Sequence, residues 1–213
     1  MTPNEAVVHV IDDDEAIRES LAFLLDSADL EVRTYEPANV FLEALPHDVH
    51  GCVVTDIRMP GVSGIELLRQ LRTMGVALPV IVITGHADVP LAVAAMKSGA
   101  VDFIEKPFDD DAFLSTIRSA LRQHEKDARR EAERSEIHSR LAALSGRERQ
   151  VLEGLVAGYP NKTIAFDLGI SARTVEIYRA NVMTKMQATS LSDLVRMALV
   201  AGVLSPGSEP SHL

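Results

Sequence analysis

The chain of 213 residues contains a single cysteine, Cys52, so no disulfide can form within it. Cys52 also lies inside an apolar run, where a free thiol behaves as a small hydrophobe. No apolar stretch approaches the ~20 residues that a membrane-spanning helix needs. The opening MTPNEAVVHV lacks the layout of a signal peptide. These absences point to a cytoplasmic chain with no membrane partner. Wholesale disorder is excluded as well, because 46% of the residues are hydrophobic and can fill real cores. The length is generous for one domain and comfortable for two, and no internal repeat is visible.

Positive charge is scarce, but in one half only. Residues 1–124 hold 9 Lys and Arg against 20 Asp and Glu, a net charge of −11, whereas residues 125–213 hold 12 against 11, a net charge of +1. Acidity therefore argues against a nucleic-acid partner for the first half alone.

What the first half does have is alternation. The runs AVVHVI (6–11), EVRTYE (31–36), HGCVVTD (50–56), PVIVIT (79–84) and VDFIEK (101–106) read as strands. Helical spacing separates them, as in Ile17, Leu21, Leu24, Leu25 and Ala28. Five such alternations predict an α/β domain over residues 1–122, with a five-stranded parallel, doubly wound sheet covered by helices on both faces. Residues 123–140 mix charges of both signs without Gly or Pro, and read as a solvated helical linker, a disordered tether being the alternative. Residues 141–204 form an all-α, four-helix pattern, and residues 205–213 a flexible tail.

In a doubly wound sheet, ligands bind outside the carboxyl ends of the strands. Those ends here carry Asp12, Asp13 and Asp14, then Asp56, Thr84 and Lys106. Each has an ordinary structural explanation, as a helix-start acid, a turn former or an exposed cation. Together those explanations strain, since two carboxylates ~4 Å apart repel by about 4 kcal/mol at an effective dielectric near 20. Converging acids need a counter-ion, and hard oxygen ligands with open positions suit Mg2+. A carboxylate beside Mg2+ and a lysine can attack a phosphoryl group and become an acyl phosphate. Thr84 can then turn its hydroxyl toward the new anion.

IDDDE, VVTDIRMPGVSGIELL, VITGHADVP and AMKSGAVDFIEKPF together resemble the receiver domain of two-component response regulators over about residues 6–122. That resemblance implies a flavodoxin-like sheet in which Asp56 accepts phosphate from a sensor histidine kinase. Asp12, Asp13 and Asp56 would bind Mg2+ with the backbone carbonyl of Arg58. Thr84 and Phe103 match the switch pair of the family, and Lys106, followed by a Pro107 that is often cis in relatives, matches its phosphate-contacting lysine. Asp14 reads as a helix-start acid. Arg58 and His86, two residues beyond Asp56 and Thr84, are placed either to tune dephosphorylation or as plain surface residues. A phosphatase of the haloacid-dehalogenase type shares the Asp, Thr, Lys and Mg2+ set, but it usually needs a second Asp where this chain has Arg58.

In the second half, Ser145 and Glu148 have capping-box spacing, and GYPNK breaks the chain before TIAFDLG. In ISARTVEIYRANVMTKM, Ser171 is a natural helix cap, and Val175, Val182 and Met186 can pack inward. Two helices around a Gly-containing turn fit a helix-turn-helix, with a plain four-helix bundle as the alternative. Lys162, Arg173, Arg179 and Lys185 fall in the same unit. The wording LSGRERQVL…NKTIAFDLGISARTVEIYRANVMTKMQATSLSDLVRMAL resembles the LuxR/NarL-type DNA-binding domain over about residues 141–202. The resemblance implies that helix 172–187 enters the major groove of double-stranded promoter DNA. Glu176, Ile177 and Ala180 would face bases, and Lys162, Arg173, Thr174 and Arg179 would hold phosphates or flanking edges. Tyr178 departs from the His common at its position in relatives.

The combined expectation is a phosphorylation-switched transcriptional activator that also meets RNA polymerase, not an enzyme beyond its own phosphorylation and dephosphorylation. Phosphate on Asp56 would draw Thr84 and Phe103 inward, release an inhibited DNA-binding domain and expose a homodimer face at Val89, Val93 and Val101. The competing reading is a phosphorylation-independent scaffold for protein contacts.

Overall fold

The computed structural model describes residues 6–36, 38–45, 49–85 and 89–203. His86 and the expected tail at 205–213 lie outside the described residues. The chain divides into two compact units, Met1–Asp127 and Ala128–Leu213.

In the first unit, strands β1 (Val7–Ile11), β2 (Glu31–Tyr35), β3 (Gly51–Asp56), β4 (Val80–Thr84) and β5 (Asp102–Glu105) alternate with helices. These helices are α1 (Glu15–Ser27), α2 (Ala38–Ala44), α3 (Gly64–Thr73) and α4 (Val89–Ser98), followed by the start of α5 (Asp110–Ala142). All pairings are parallel, in the order β2-β1-β3-β4-β5. The expected α/β doubly wound architecture is therefore what forms. Every residue of β3 and β4 is buried, because helices cover these central strands on both faces, and the strands are accordingly apolar up to their polar tips at Thr55, Asp56 and Thr84. One face packs Val53, Val80 and Val82 against Phe41, Leu67, Leu71 and Ala95 of α2–α4. The other packs Val8, Val10, Val54, Ile81 and Ile83 against Leu21 and Leu25 of α1 and Phe113 and Ile117 of α5.

Helix α5 is apolar at both ends and wet between. Phe113, Ile117 and Ala120 fill the first unit's core, residues 126–136 are all exposed, and Ile137 and Leu141 fill the second unit's core. The charged stretch 123–140 is thus helical and not a tether.

The second unit contains α6 (Gly146–Val156), α7 (Asn161–Leu168), α8 (Ala172–Met186) and α9 (Leu191–Val200). Ser145 and Glu148 form the capping box of α6. Gly169 ends α7 at φ 64°, a left-handed conformation that glycine takes without steric cost. Ser171 caps α8 by accepting the Thr174 amide at 3.1 Å. Val175, Val182 and Met186 are each fully buried, together with Leu152 and Leu194.

Candidate functional site

The switch in strand order falls between β1 and β3, whose tips lie side by side with Ile11 paired to Thr55. Asp12 follows one tip and Asp56 ends the other, so a parallel sheet brings together acids 44 residues apart in sequence. Both are buried, with 2% and 8% exposure. From the far edge, Lys106 follows β5, where its amide donates to the Thr84 carbonyl at 2.8 Å. Its Nζ donates to Asp12 Oδ2 at 2.8 Å and to Asp56 Oδ1 at 3.0 Å. Burial pulls this ammonium down, but hydrogen bonds to Asp12 and Asp56, and their charge, outweigh burial and hold its pKa above the ordinary lysine value.

Backbone amides hold the remaining oxygens. Asp14 N–H donates to Asp12 Oδ1 at 2.9 Å, and Arg58 N–H donates to Asp56 Oδ2 at 2.6 Å. Asp14 itself caps α1, accepting the Ala16 amide at 2.9 Å. Asp13 is exposed beside the buried pair. The rim is therefore two buried acids bridged by one lysine with a third acid facing solvent, in place of the expected close convergence of three.

Thr84 ends β4 with 1% exposure. Phe103 is half-buried on β5, paired in register with Val82. Val82 and Thr84 share a strand face, so Thr84 and Phe103 lie on the same side of the sheet, the side covered by α2–α4. The Lys106–Pro107 peptide is cis, in keeping with the resemblance. Arg58 is exposed.

Two supports of the rim escape pattern reading. Arg18 Nη1 donates to the Asp12 carbonyl at 2.8 Å while Nη2 pairs with Glu36 at 2.6 Å, which fixes the turn after β1. Gly64 opens α3 so close to β3 that a Cβ there would stand 2.3 Å from the Asp56 carbonyl oxygen. Its place after the capping residue Ser63 was the only available signal.

The hard-oxygen set suits Mg2+. Among the described residues no three His, Cys, Asp or Glu side chains form a ready metal cluster. Mg2+ needs none, since it keeps waters and takes one or two carboxylates plus phosphate oxygens. Asp12, Asp56, the adjacent Asp13 and the Arg58 carbonyl supply donors of that kind.

On α8, Arg173, Glu176, Ile177 and Ala180 are exposed at helical spacing opposite the buried Val175, Val182 and Met186, and Ile177 is 56% exposed. Lys162 is exposed on α7, and Thr174 and Arg179 are half-buried. Lys185 does not join this face. Its Nζ donates to Glu148 Oε2 at 2.7 Å and to the Ala143 carbonyl at 3.3 Å, so it ties α8 to α6. The Lys185 hydrogen bond and the Ser145 amide together lower the Glu148 pKa to about 2. Tyr178 packs against the helical core. On the first unit, Val89, Val93 and Val101 are 77%, 45% and 48% exposed. Met96, 49% exposed and at helical spacing from Val89 and Val93, extends the same apolar strip and went unread in the sequence.

A sheet rim of this design joined to an outward-facing second helix of a helix-turn-helix defines a DNA-binding response regulator. Residues 8–118 match the response regulator receiver domain, and residues 142–198 match bacterial regulatory proteins of the luxR family. The chain is 61% identical to transcriptional regulatory protein FixJ of Azorhizobium caulinodans, over 94% of this chain and 95% of the relative. Identity to FixJ of Bradyrhizobium diazoefficiens is 58%, over 93% and 97%. The chain thus belongs to the FixJ family of two-component response regulators. Among solved structures, response regulator StyR superposes with a TM-score of 0.81 at 41% identity, covering 91% of this chain and 98% of StyR. Full-length FixJ from B. japonicum gives 0.60 at 57% identity, covering 94% and 99%. No helix among the described residues is long and apolar enough to cross a membrane.

Proposed function

We propose that Asp56 is the phosphoacceptor, charged by a sensor histidine kinase, and that its phosphorylation converts the chain into a dimer competent to read promoter DNA. The observation that carries this reading is Lys106 Nζ spanning Asp12 and Asp56 at 2.8 and 3.0 Å. A carboxylate so placed is buried yet addressed by a cation, the condition for accepting a further anion. An Asp56 oxygen attacks the donor phosphorus, the donor's bond to phosphorus breaks, and an acyl phosphate remains on the protein. Lys106 moves from the carboxylate to the phosphoryl oxygens, and the Thr84 hydroxyl donates to them. Asp12, Asp13, Asp56 and the Arg58 carbonyl would hold Mg2+, which supplies charge neutralisation when bound. The same set lets the chain take phosphate from small donors and later lose it, with Arg58 and His86 either tuning that loss or serving as plain surface residues.

The donor approaches beside Lys106, where a cleft of about 630 Å3 runs between α1 and the start of α5. Its walls include Ile17, Leu21 and Leu24, with Phe23 79% exposed at its margin. Inward movement of Thr84 and Phe103 would reshape the α4–β5 face, and pairing through Val89, Val93 and Val101 would bury the apolar strip. A dimer presents two copies of α8 about one turn of DNA apart. Glu176, Ile177 and Ala180 then read base edges, while Lys162, Arg173, Thr174 and Arg179 hold the backbone. The dimer activates transcription in the cytoplasm by meeting RNA polymerase, and the unphosphorylated receiver keeps the DNA-binding domain inhibited. Support for the activator role is the identity to FixJ relatives.

Mass spectrometry after borohydride trapping tests the acceptor. Acetyl phosphate with Mg2+ should give one reduced aspartyl site, at Asp56, and gel filtration of the same sample should show a dimer. Phosphate trapped at Asp12 or Asp13 would overturn the assignment.

A further inference from the structure

At the edge of the sheet opposite the rim lies a second cleft. Helices α3 and α4 return antiparallel to their strands, so their last turns lie where the strands begin. Between those turns is a cleft of about 540 Å3 lined by Arg69, Arg72 and Thr73 of α3 and by Ala94, Lys97 and Ser98 of α4. Three cations thus line one space together with Thr73, whose hydroxyl donates to the Arg69 carbonyl at 2.9 Å, and Ser98, and among the described residues no acid lines it. Within residues 1–124, which carry a net charge of −11, this is a local island of the opposite sign.

None of Arg69, Arg72 and Lys97 has an ion-pair partner among the described residues. Glu66, three residues before Arg69, accepts from the Ser63 amide and hydroxyl at 2.9 and 2.8 Å, and the Arg69 charge adds a smaller attraction without forming an ion pair. Arg72 is already set across the two helices. Its Nη1 lies 3.4 Å from the Ser98 carbonyl, and its guanidinium covers Gly99, where a Cβ would stand 3.5 Å from Cζ. Cations in a last helical turn also complement the helix dipole, which accounts for Arg72 and Lys97. Neither the dipole nor the attraction between Arg69 and Glu66 accounts for the convergence of all three on one cleft.

Guanidinium forks and an ammonium are the groups that bind phosphate oxygens. Among the described residues the lining has no aromatic ring to stack on a base and only Ala94 as an apolar wall. We propose that the α3–α4 cleft binds a small phosphate-rich anion through Arg69, Arg72 and Lys97, the anion being inorganic polyphosphate or the triphosphate of a nucleotide. This site is independent of the chemistry at Asp56.

The test uses the full chain, without Mg2+ and at constant ionic strength, titrated with tripolyphosphate and followed by amide NMR. Saturable shifts should cluster at residues 69–73 and 97–99. The Arg72→Gln/Lys97→Gln variant, checked for its fold by circular dichroism, should bind roughly tenfold more weakly, while Arg122→Gln, an exposed cation of α5 outside the cleft, binds as the parent does. ATP in place of tripolyphosphate separates the sources: tighter binding assigns a nucleotide, equal or weaker binding the inorganic chain. Shifts confined to α7 and α8, shifts that never saturate, or equal affinity in the double variant would overturn the site. The NMR result on the unaltered chain stands whether or not the variant folds.

Discussion

The two units place their working residues in opposite ways. In the first, Asp12, Asp56 and Thr84 are buried and the rim oxygens are tied to Lys106 and to backbone amides. In the second, Lys162, Arg173, Glu176, Ile177 and Ala180 stand in solvent, and the ion pair of the exposed Lys185 with the buried Glu148 holds helices together. On the function proposed above, the difference follows from the task. A group that must exchange charge with a transferred phosphate gains from a low-dielectric setting with its partner fixed in advance. A surface that reads DNA must leave its donors and acceptors open to a partner that brings its own charge.

Substitutions should therefore act in kind as well as in size. The largest effect is expected at the rim, where Asp56→Asn should reduce phosphate incorporation from acetyl phosphate by two orders of magnitude or more, measured with radiolabelled donor. Lys106→Ala leaves two buried carboxylates without their cation. It should cost about 2–3 kcal/mol of stability in urea without Mg2+, and saturating Mg2+ should restore part of that. It should also uncouple phosphorylation from dimerisation.

On the reading helix the effects should be smaller and should separate by type. Ile177→Ala or Glu176→Gln should cost about 1–3 kcal/mol at the preferred site and relax base preference there, whereas Lys162→Ala should weaken all sequences alike and lower the salt slope by about 1. Anisotropy titrations at several salt concentrations distinguish the two. Neither change should alter phosphorylation. A reading-helix variant that blocks labelling at Asp56 would break the comparison.

The smallest effect concerns acid. Burial first, then Arg33, lowers the pKa of His9 to about 4, below its ordinary 6.5. The unfolded chain takes the proton first, so the stability that His9 contributes is complete above pH 6.5 and is lost as pH falls toward 4. Glu148, lowered from 4.5 to about 2, contributes stability that is complete above pH 4.5 and is lost as pH falls toward 2. Between pH 6.5 and 4.5, calorimetry should thus show the receiver transition moving down while the helical unit holds. His9→Phe should flatten the first dependence and Glu148→Gln the second.

Much of the fold was legible because its signals are local. VVHVI, GCVVTD and VIVIT are nearly continuous apolar runs, interrupted by His9 and by the polar tips Thr55, Asp56 and Thr84, of the kind that a sheet covered on both faces requires. Val175, Val182 and Met186 marked the inner side of α8 by spacing alone. What stayed hidden is where side chains meet at long range. Lys106 and Asp12 are 94 residues apart, and only the strand order brings them together. The grip of Arg18 on the Asp12 carbonyl and the fit of Gly64 against Asp56 leave no periodic trace. Lys185 looked like another cation of the reading unit because its composition and position in α8 were visible, while Glu148 of α6, its partner, was not.

The measurement that bears most directly on the coupling of rim to reading helix is DNA affinity by fluorescence anisotropy. Selected duplex should be titrated with the parent chain and with Asp56→Asn, each with and without acetyl phosphate and Mg2+. The expected result is a gain of at least tenfold in the parent on phosphorylation, accompanied by a dimer, and no gain in the variant. Equal gains in both proteins, or none in a parent shown to be phosphorylated, would contradict it.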